Sequence, residues 1–273
     1  MKSMIKRIIH ISDIHIRTNQ YHELYKKQFQ SFLDEIKEIS VDLEKEELRI
    51  VIAGDLFHQK IVISNEQLLL GAWFLSELSY YGIVIIIPGN HDFLEKNQER
   101  VDSITPIVEL LNNPNIRYYK DSGVYVDDGV KWIVYSLYQH NQRPYFTRDG
   151  DDKYIGLFHG PIQGFSTNLG YVFEDGCDKL NFLDLDIVMC GDTHSRQMSF
   201  IDPKIKKTPI IQVGSFIQQD YAETVKHHGY GIYDVETGEY VFHDIPNEQP
   251  FMHFRINDIK DIEDGKESLI NAG

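Results

Sequence analysis

Five short apolar runs recur along the chain, and each stops at residues suited to holding a metal. The runs Arg7 to Ser12, Arg49 to Ala53, Ile83 to Pro88, Tyr154 to Phe158 and Asp186 to Cys190 are rich in Ile and Val and read as buried β-strands. Between the first two, Tyr21 to Glu47 carries Tyr25, Phe29, Phe32, Leu33, Ile36 and Ile39 at the spacing of one helical face, with Lys and Glu opposite. A second helix is predicted to open at Ser64, with Gln67 as capping-box partner, and to run to Tyr81 before Gly82 stops it. Leu68, Leu69, Leu70, Trp73, Phe74, Leu75, Leu78 and Tyr80 make it apolar nearly all round, more than one core contact requires. A third helix is expected from Pro106 to Asn112, capped by Thr105 and ended before Pro114.

From Ile116 the pattern changes to short alternating strands, Ile116 to Tyr119, Gly123 to Val126 and Trp132 to Leu137, the last after the turn Asp127-Asp128-Gly129. Gln139 to Asp152 is polar and reads as a loop, while Tyr230 to Asp234 and Tyr240 to Asp244 read as a hairpin about Glu236-Thr237-Gly238. Strands alternating with helices, followed by more strands, predict an α/β fold in which a sheet sandwich is flanked by helices. After Pro246 to Pro250 a new strand, Phe251 to Ile256, and an acidic segment look like the opening of a second unit cut short, giving domains 1–248 and 249–273.

The length of 273 residues allows one large domain or one and a fraction. No apolar run approaches the roughly 20 residues of a membrane span, so the chain is read as unexported, cytoplasmic and not a membrane protein. Cys177 and Cys190 are too few for a disulfide framework, and Cys190 falls in a predicted core strand. A balance of 27 basic and 42 acidic residues, a charge of −15, argues against a broad electrostatic grip on nucleic acid. Two considerations soften that: metal ligands are themselves carboxylates whose field a bound cation reverses, and a partner subunit can supply basic surface.

In a layered α/β protein, ligands bind beyond the strand ends, so the clusters there are expected to meet at one edge. Two divalent ions need roughly seven to ten ligands between them, one of them bridging. Asp13 and His15, two apart in an extended segment, can turn toward the same ion. Asp55 follows Gly54, whose lack of a side chain lets the backbone pass close to the metals, and is placed to bridge. Asn90, His159, Asp192 and His194 add an amide oxygen, two imidazoles and a carboxylate. A lone Asp-x-His is a weak signal, and Gly-Asp after a strand is commonly a plain turn. The ordered set of five, each at a strand end, is what carries the two-metal reading.

That order, Asp-x-His, Gly-Asp, Gly-Asn-His-Asp, His and Gly-x-x-His, resembles the calcineurin-like metallophosphoesterases over roughly residues 5 to 245. Within them it is most similar to the Mre11/SbcD nuclease branch, through Gly54-Asp55-Leu56-Phe57-His58, Ser12-Asp13-Ile14-His15 and Gly214-Ser215. The resemblance implies a four-layer α/β/β/α sandwich and the start of a small capping domain from Phe251. It implies two Mn2+ ions, with Mg2+ also admissible, and cleavage of DNA phosphodiesters beside a Rad50/SbcC-like ATPase partner. By resemblance Asp13, His15, Asp55 and His194 hold the first metal, and Asp55, Asn90, His159 and position 192 the second. His91 would assist the leaving oxygen and His58 steady the phosphate, neither as a ligand. The family pattern Gly-His-x-His is broken here, because Asp192 stands where the first imidazole belongs. A carboxylate suits hard Mn2+ or Mg2+, but its shorter reach points to a weaker second site.

Arg17 and Asn19, just past the first cluster, are the candidate DNA contacts. Lys204, Lys206 and Lys207 form a basic cluster better read as a solvated loop, and His227-His228 stands after the Gly214-Ser215 loop near the predicted site edge. The helices around 64–81 and 106–112 match the family's packing surface, so a homodimer is expected there. Two other functions stay open: a phosphomonoesterase or cyclic-nucleotide phosphodiesterase of the same superfamily, and a non-catalytic scaffold for the ATPase in which Asp192 marks a decayed site.

Overall fold

A computed structural model describes residues 4–202, 204 and 207–252. In chain order its elements are β1 (Arg7–Ile11), α1 (His22–Ile39), β2 (Leu48–Ala53), α2 (Asn65–Tyr81), β3 (Ile83–Ile87), α3 (Thr105–Leu111), β4 (Ile116–Tyr118), β5 (Gly123–Asp127) and β6 (Val130–Tyr135). Then follow β7 (Lys153–His159), β8 (Ile187–Gly191), β9 (Gln197–Asp202), β10 (Lys207–Gln212), β11 (Gly229–Asp234) and β12 (Tyr240–Asp244).

The strands form two six-stranded sheets, ordered β12-β11-β1-β2-β3-β4 and β5-β6-β7-β8-β10-β9. In the first, β1 to β4 run parallel and β11 is antiparallel to β1; in the second, β6, β7, β8 and β10 run parallel. Parallel strands covered on both faces must be apolar throughout, and β2 and β3 are buried at every position. Side chains of alternating parity split between two cores. Val51, Ala53, Ile85 and Ile87 meet Trp132, Val134, Ile155, Leu157 and Met189 between the sheets. Ile50, Ile52, Val84 and Ile86 face the helices outside the first sheet, where Phe29 of α1 stacks on Phe74 of α2 at 3.8 Å.

The expected sandwich is therefore present, with α1 to α3 as its outer layer on one side. On the outer face of the second sheet a 3-10 turn (Lys179–Phe182) and loops supply Phe146, Phe165 and Phe182. Phe146, from the polar stretch read as a loop, packs against the core on that face. Away from the strand ends that carry the clusters, Arg49 and Asp127 lock the sheets together through two hydrogen bonds of 2.6 and 2.8 Å, both residues fully buried or nearly so.

Helix α2 carries the capping box read from Ser64 and Gln67, with both reciprocal bonds formed. Helix α3 starts one residue earlier than expected and is capped otherwise. Thr105 is its first residue, and the Asp102 carboxylate takes the free N–H groups of Ile104 and Thr105 at 3.0 and 2.7 Å. Strands β9 and β10 were not foreseen. Their hairpin tip puts Lys204 and Lys207 at the sheet edge opposite the C-terminal end of β8, because β10 runs parallel to β8, with Gln212 beside Cys190. Lys206 and His253 fall outside the described residues, as does the expected strand from Phe251 beyond Met252; Phe251 and Met252 themselves have no regular structure. No described helix is long and apolar enough to cross a membrane.

Candidate metal centre

All five clusters emerge at the C-terminal ends of parallel strands: Asp13 and His15 after β1, Asp55 after β2, Asn90 to Asp92 after β3, His159 at the end of β7, and Asp192 to His194 after β8. The loops after β1 and β2 stay hydrogen-bonded beyond the sheet, through Asp13 N to Gly54 O, His15 N to Asp55 O and His58 N to Ile16 O. Across the sandwich, the N–H of Asp192 donates to both carboxylate oxygens of Asp13 at 3.1 Å.

The first cluster is not extended, as its spacing suggested. Asp13, His15 and Asp55 have φ of 51°, 49° and 56°, and Asp192 has 94°. Left-handed backbone at a non-glycine residue costs about 1–3 kcal/mol, and four such residues at one locus mark a constrained site. Neither is Gly54 chiefly a metal-approach residue. A Cβ there would lie 2.3 Å from His159 Nδ1, so its bareness admits the imidazole. Gly89 is bare for a parallel reason: a Cβ would meet Asp55 Oδ1 at 2.1 Å.

The donor atoms converge. His15 Nε2 and His194 Nε2 are 3.1 Å apart, and His194 Nε2 lies 3.7 Å from Asp13 Oδ1. Asp55 Oδ2 stands 3.5 Å from His15 Nε2 and 3.5 Å from His159 Nε2, the position a bridging oxygen must occupy. His159 Nε2 is 3.1 Å from Asn90 Oδ1 and 3.9 Å from Asp192 Oδ1. Ligand atoms about 2.0–2.2 Å from a common ion lie roughly 3–3.5 Å from one another, so this spacing and the mixed N/O donor set fit two divalent cations. Asp13, His15, Asp55 and His159 are buried, while Asp192 and His194 are half-buried and border a cleft of about 270 Å3 walled by Leu169, Phe173 and Asp220.

Electrostatics agree with a site built for cations. Burial and the charge of Asp55 push the Asp13 carboxyl up to about 6, against the pull of His159 and His194. Burial likewise raises Asp192. Burial alone would lower His194, but its bond to Glu223 and the charges of Asp13 and Asp55 lift it to about 9. The His194 shift reflects the carboxylates around it, negative charge that a bound metal would neutralise.

His58 and His91 sit against the first group, and with His15 they form a further cluster whose ring nitrogens lie within 4.8 Å of one another. Their rings stack at 5.5 Å and lie 5.4 and 4.8 Å from the His15 ring. His91 Nδ1–H donates to the His58 carbonyl at 2.7 Å, which leaves Nε2 as its free nitrogen, and the His91 N–H donates to Asp55 Oδ1 at 2.8 Å. The His58 imidazole is held low by burial and by the positive charge of Arg17. Arg17 is therefore near the centre, its Nε bonded to Gln219 at 3.3 Å, whereas the Asn19 side chain lies outside the described part of the structure.

Two residues with structural duties here were not singled out in the sequence. The buried Asp92 carboxylate accepts N–H groups from Asp55, Leu56, Phe57 and Gly89, pinning one cluster to the next. Glu223 accepts the Nδ1–H of His194 at 2.5 Å from a loop 29 residues away. Asp92 sits inside the Gly-Asn-His-Asp string and was visible there. Nothing in the spacing indicates Glu223.

Residues 6–196 match the calcineurin-like phosphoesterase family. An uncharacterized protein of Acanthamoeba polyphaga mimivirus is 33% identical over 244 residues, 85% of this chain and 17% of that protein, so the chain spans less than a fifth of the length of the relative it matches. The match covers the strand ends on which every candidate ligand stands, and with two sheets presenting a two-ion donor set along one edge, the chain belongs to the calcineurin-like phosphoesterases, metal-dependent hydrolases of phosphate esters.

Proposed function

We propose that this phosphoesterase is a Mn2+-dependent DNA nuclease of the Mre11/SbcD type, cutting DNA phosphodiesters beside a Rad50/SbcC-like ATPase. The observation that carries the reading is the pairing of His58 with His91. The Gly54 to His58 string delivers a second imidazole next to His91, and its carbonyl fixes the His91 tautomer. Asp13, His15, Asp55 and His194 would hold the first ion, and Asp55, Asn90, His159 and Asp192 the second. When bound, two such ions lower the pKa of water and neutralise charge on attacking and leaving oxygens. His91, protonated at both nitrogens while its Nδ1–H stays on the His58 carbonyl, would give the Nε2 proton to the departing sugar oxygen as its bond to phosphorus breaks and return to the neutral ring, with His58 steadying a phosphate oxygen and Arg17 holding the neighbouring phosphate.

A homodimer through α2 and α3 belongs to the same proposal. Leu69 and Tyr80 of α2 and Leu110 of α3 are 69%, 72% and 77% exposed, an apolar face that a second copy would cover. Sedimentation of Leu69→Asp beside the native chain tests it, a dimer being expected only for the latter.

A second reading has one observation in its favour. Asp192, Asp220 and Glu223 border the cleft of a chain with net charge −15, which suits a small phosphate ester better than a polyanion. Digestion of end-labelled duplex DNA in Mn2+ beside a chromogenic phosphate ester separates the two. Shortened DNA, abolished in Asp55→Asn, is the expected result. Rapid ester turnover with intact DNA would replace the nuclease by a phosphomonoesterase or cyclic-nucleotide phosphodiesterase, and no turnover of either by a scaffold.

A further inference from the structure

We propose that Glu223 is a positioning residue for the metal centre, fixing the tautomer and aim of His194 from a clip formed by residues 214–228. The inference rests on the two-ion centre, not on the nuclease reading.

His194 is the least confined imidazole among the candidate ligands. Its side chain is 31% exposed, whereas those of His15 and His159 are 2% and 1% exposed. Packing alone therefore does not hold its ring. The ring is held instead by one bond: Nδ1–H donates to Glu223 Oε1 at 2.5 Å, which leaves Nε2 to face His15 Nε2 at 3.1 Å. A carboxylate behind an imidazole selects the tautomer with a free Nε2 and raises its basicity, the usual arrangement behind metal-binding histidines.

Glu223 is itself fixed. Its other oxygen accepts the Ser215 hydroxyl at 2.8 Å and the Gln219 N–H at 2.9 Å. Ser215 Oγ lies 2.9 Å from His228 Nδ1, and His228 Nε2–H donates to the Thr224 carbonyl at 2.6 Å. Gln219 reaches back to the first cluster, donating to the Ile14 carbonyl at 3.3 Å and accepting from Arg17. The clip thus ties the half-buried His194 after β8 to the Asp13-Ile14-His15 segment after β1. It also gives Gly214-Ser215 and His228 definite work, whereas His227, 67% exposed, has none in it.

The test is Glu223→Gln. The amide keeps the size but must set an NH2 group against either the imidazole N–H or the Ser215 and Gln219 donors. Mn2+ titration followed by calorimetry should show the tighter of two sites weakened roughly 10- to 100-fold. Ser215→Ala, which loosens Glu223 without removing it, should give a smaller loss. Independently, a long-range 1H–15N spectrum of the unsubstituted metal-free chain at pH above 9 should show His194 protonated at Nδ1. That spectrum decides the matter if Glu223→Gln does not fold. Unchanged Mn2+ affinity in Glu223→Gln, or an Nε2-protonated His194 in the native chain, overturns the proposal. A chain that shows the predicted affinity loss and tautomer yet cuts no DNA refutes only the nuclease reading.

Discussion

The Asp92 carboxylate accepts the main-chain N–H of Asp55 at 2.8 Å with the same oxygen that takes the N–H of Gly89 at 2.8 Å. The loop that carries Asp55 and the loop that carries Asn90 and His91 are therefore tied at one oxygen atom. Its other oxygen takes Leu56 N–H and lies 3.3 Å from the Ser103 hydroxyl. Removing the acceptor strands at least two buried donors at about 1–3 kcal/mol each. Asp92→Ala should lower the free energy of urea unfolding by about 3–5 kcal/mol and abolish metal uptake, while Asp92→Asn should cost about half as much. A loss below about 1 kcal/mol in Asp92→Ala would show that the two loops hold together without it.

Gly89→Ala isolates the steric requirement from the hydrogen bonds. The added methyl would lie 2.1 Å from Asp55 Oδ1 and 2.4 Å from Asp55 N, both rigidly placed, so the Asp55 loop must move. Overpacking of this kind costs about 1–3 kcal/mol, and here the displaced group is the carboxylate proposed as the bridge. The expected outcome is a chain that still folds, by circular dichroism and a melting curve lowered by several degrees, but binds fewer than two Mn2+ ions. Full metal stoichiometry would mean that Asp55 is not the bridge.

These two residues also show what the sequence could and could not disclose. Ile- and Val-rich runs ending in ligand residues were legible because a buried parallel strand must be apolar at every position. β9 and β10 were not, since half of Gln197–Asp202 is polar and Lys207–Gln212 contains Pro209, which argues against a strand unless the site is an edge or irregular. The convergence of the clusters followed from the direction of parallel strands. The left-handed backbone at Asp13, His15 and Asp55 did not, because spacing says nothing of φ where Asp and His both tolerate that region. Glu223 was invisible for a different reason: its contact with His194 is made by the fold, and a single glutamate in a polar loop carries no local mark.

The pH dependence follows from His194. Its folded-state pKa is raised from the ordinary 6.5 to about 9, so the folded chain holds that proton more tightly than the unfolded chain does. In the metal-free chain this stabilisation is complete below pH 6.5 and is lost as the pH rises through 9. Metal must displace the Nε2 proton, so Mn2+ affinity should run the other way, climbing by up to about tenfold per pH unit between 6.5 and 9. Asp13, raised to about 6 chiefly by burial, adds a second displaced proton below that pH. Calorimetric titrations with Mn2+ at several pH values measure the slope. An affinity that stays flat from pH 6.5 to 8.5 would mean that His194 is not a ligand.

Asp192→His restores the imidazole of the family pattern at the one position where this chain departs from it. Asp192 Oδ1 stands 3.9 Å from His159 Nε2, the longest separation between neighbouring donors of the second group, where Asn90 Oδ1 reaches 3.1 Å. Its backbone at φ 94° is a region that His enters nearly as readily as Asp, so the substitution should fold. An imidazole projects farther than a carboxyl and softens the donor set, favouring Zn2+ and Mn2+ over Mg2+. Binding at the weaker of the two sites should tighten about tenfold for Mn2+ and more for Zn2+, and on the proposed nuclease reading Mn2+-dependent digestion of end-labelled DNA should speed up in proportion at limiting metal. If the variant binds Mn2+ more weakly and gains nothing in rate, Asp192 is a ligand chosen for its charge, and the second site is tuned to a harder ion than the family's imidazole pair would select.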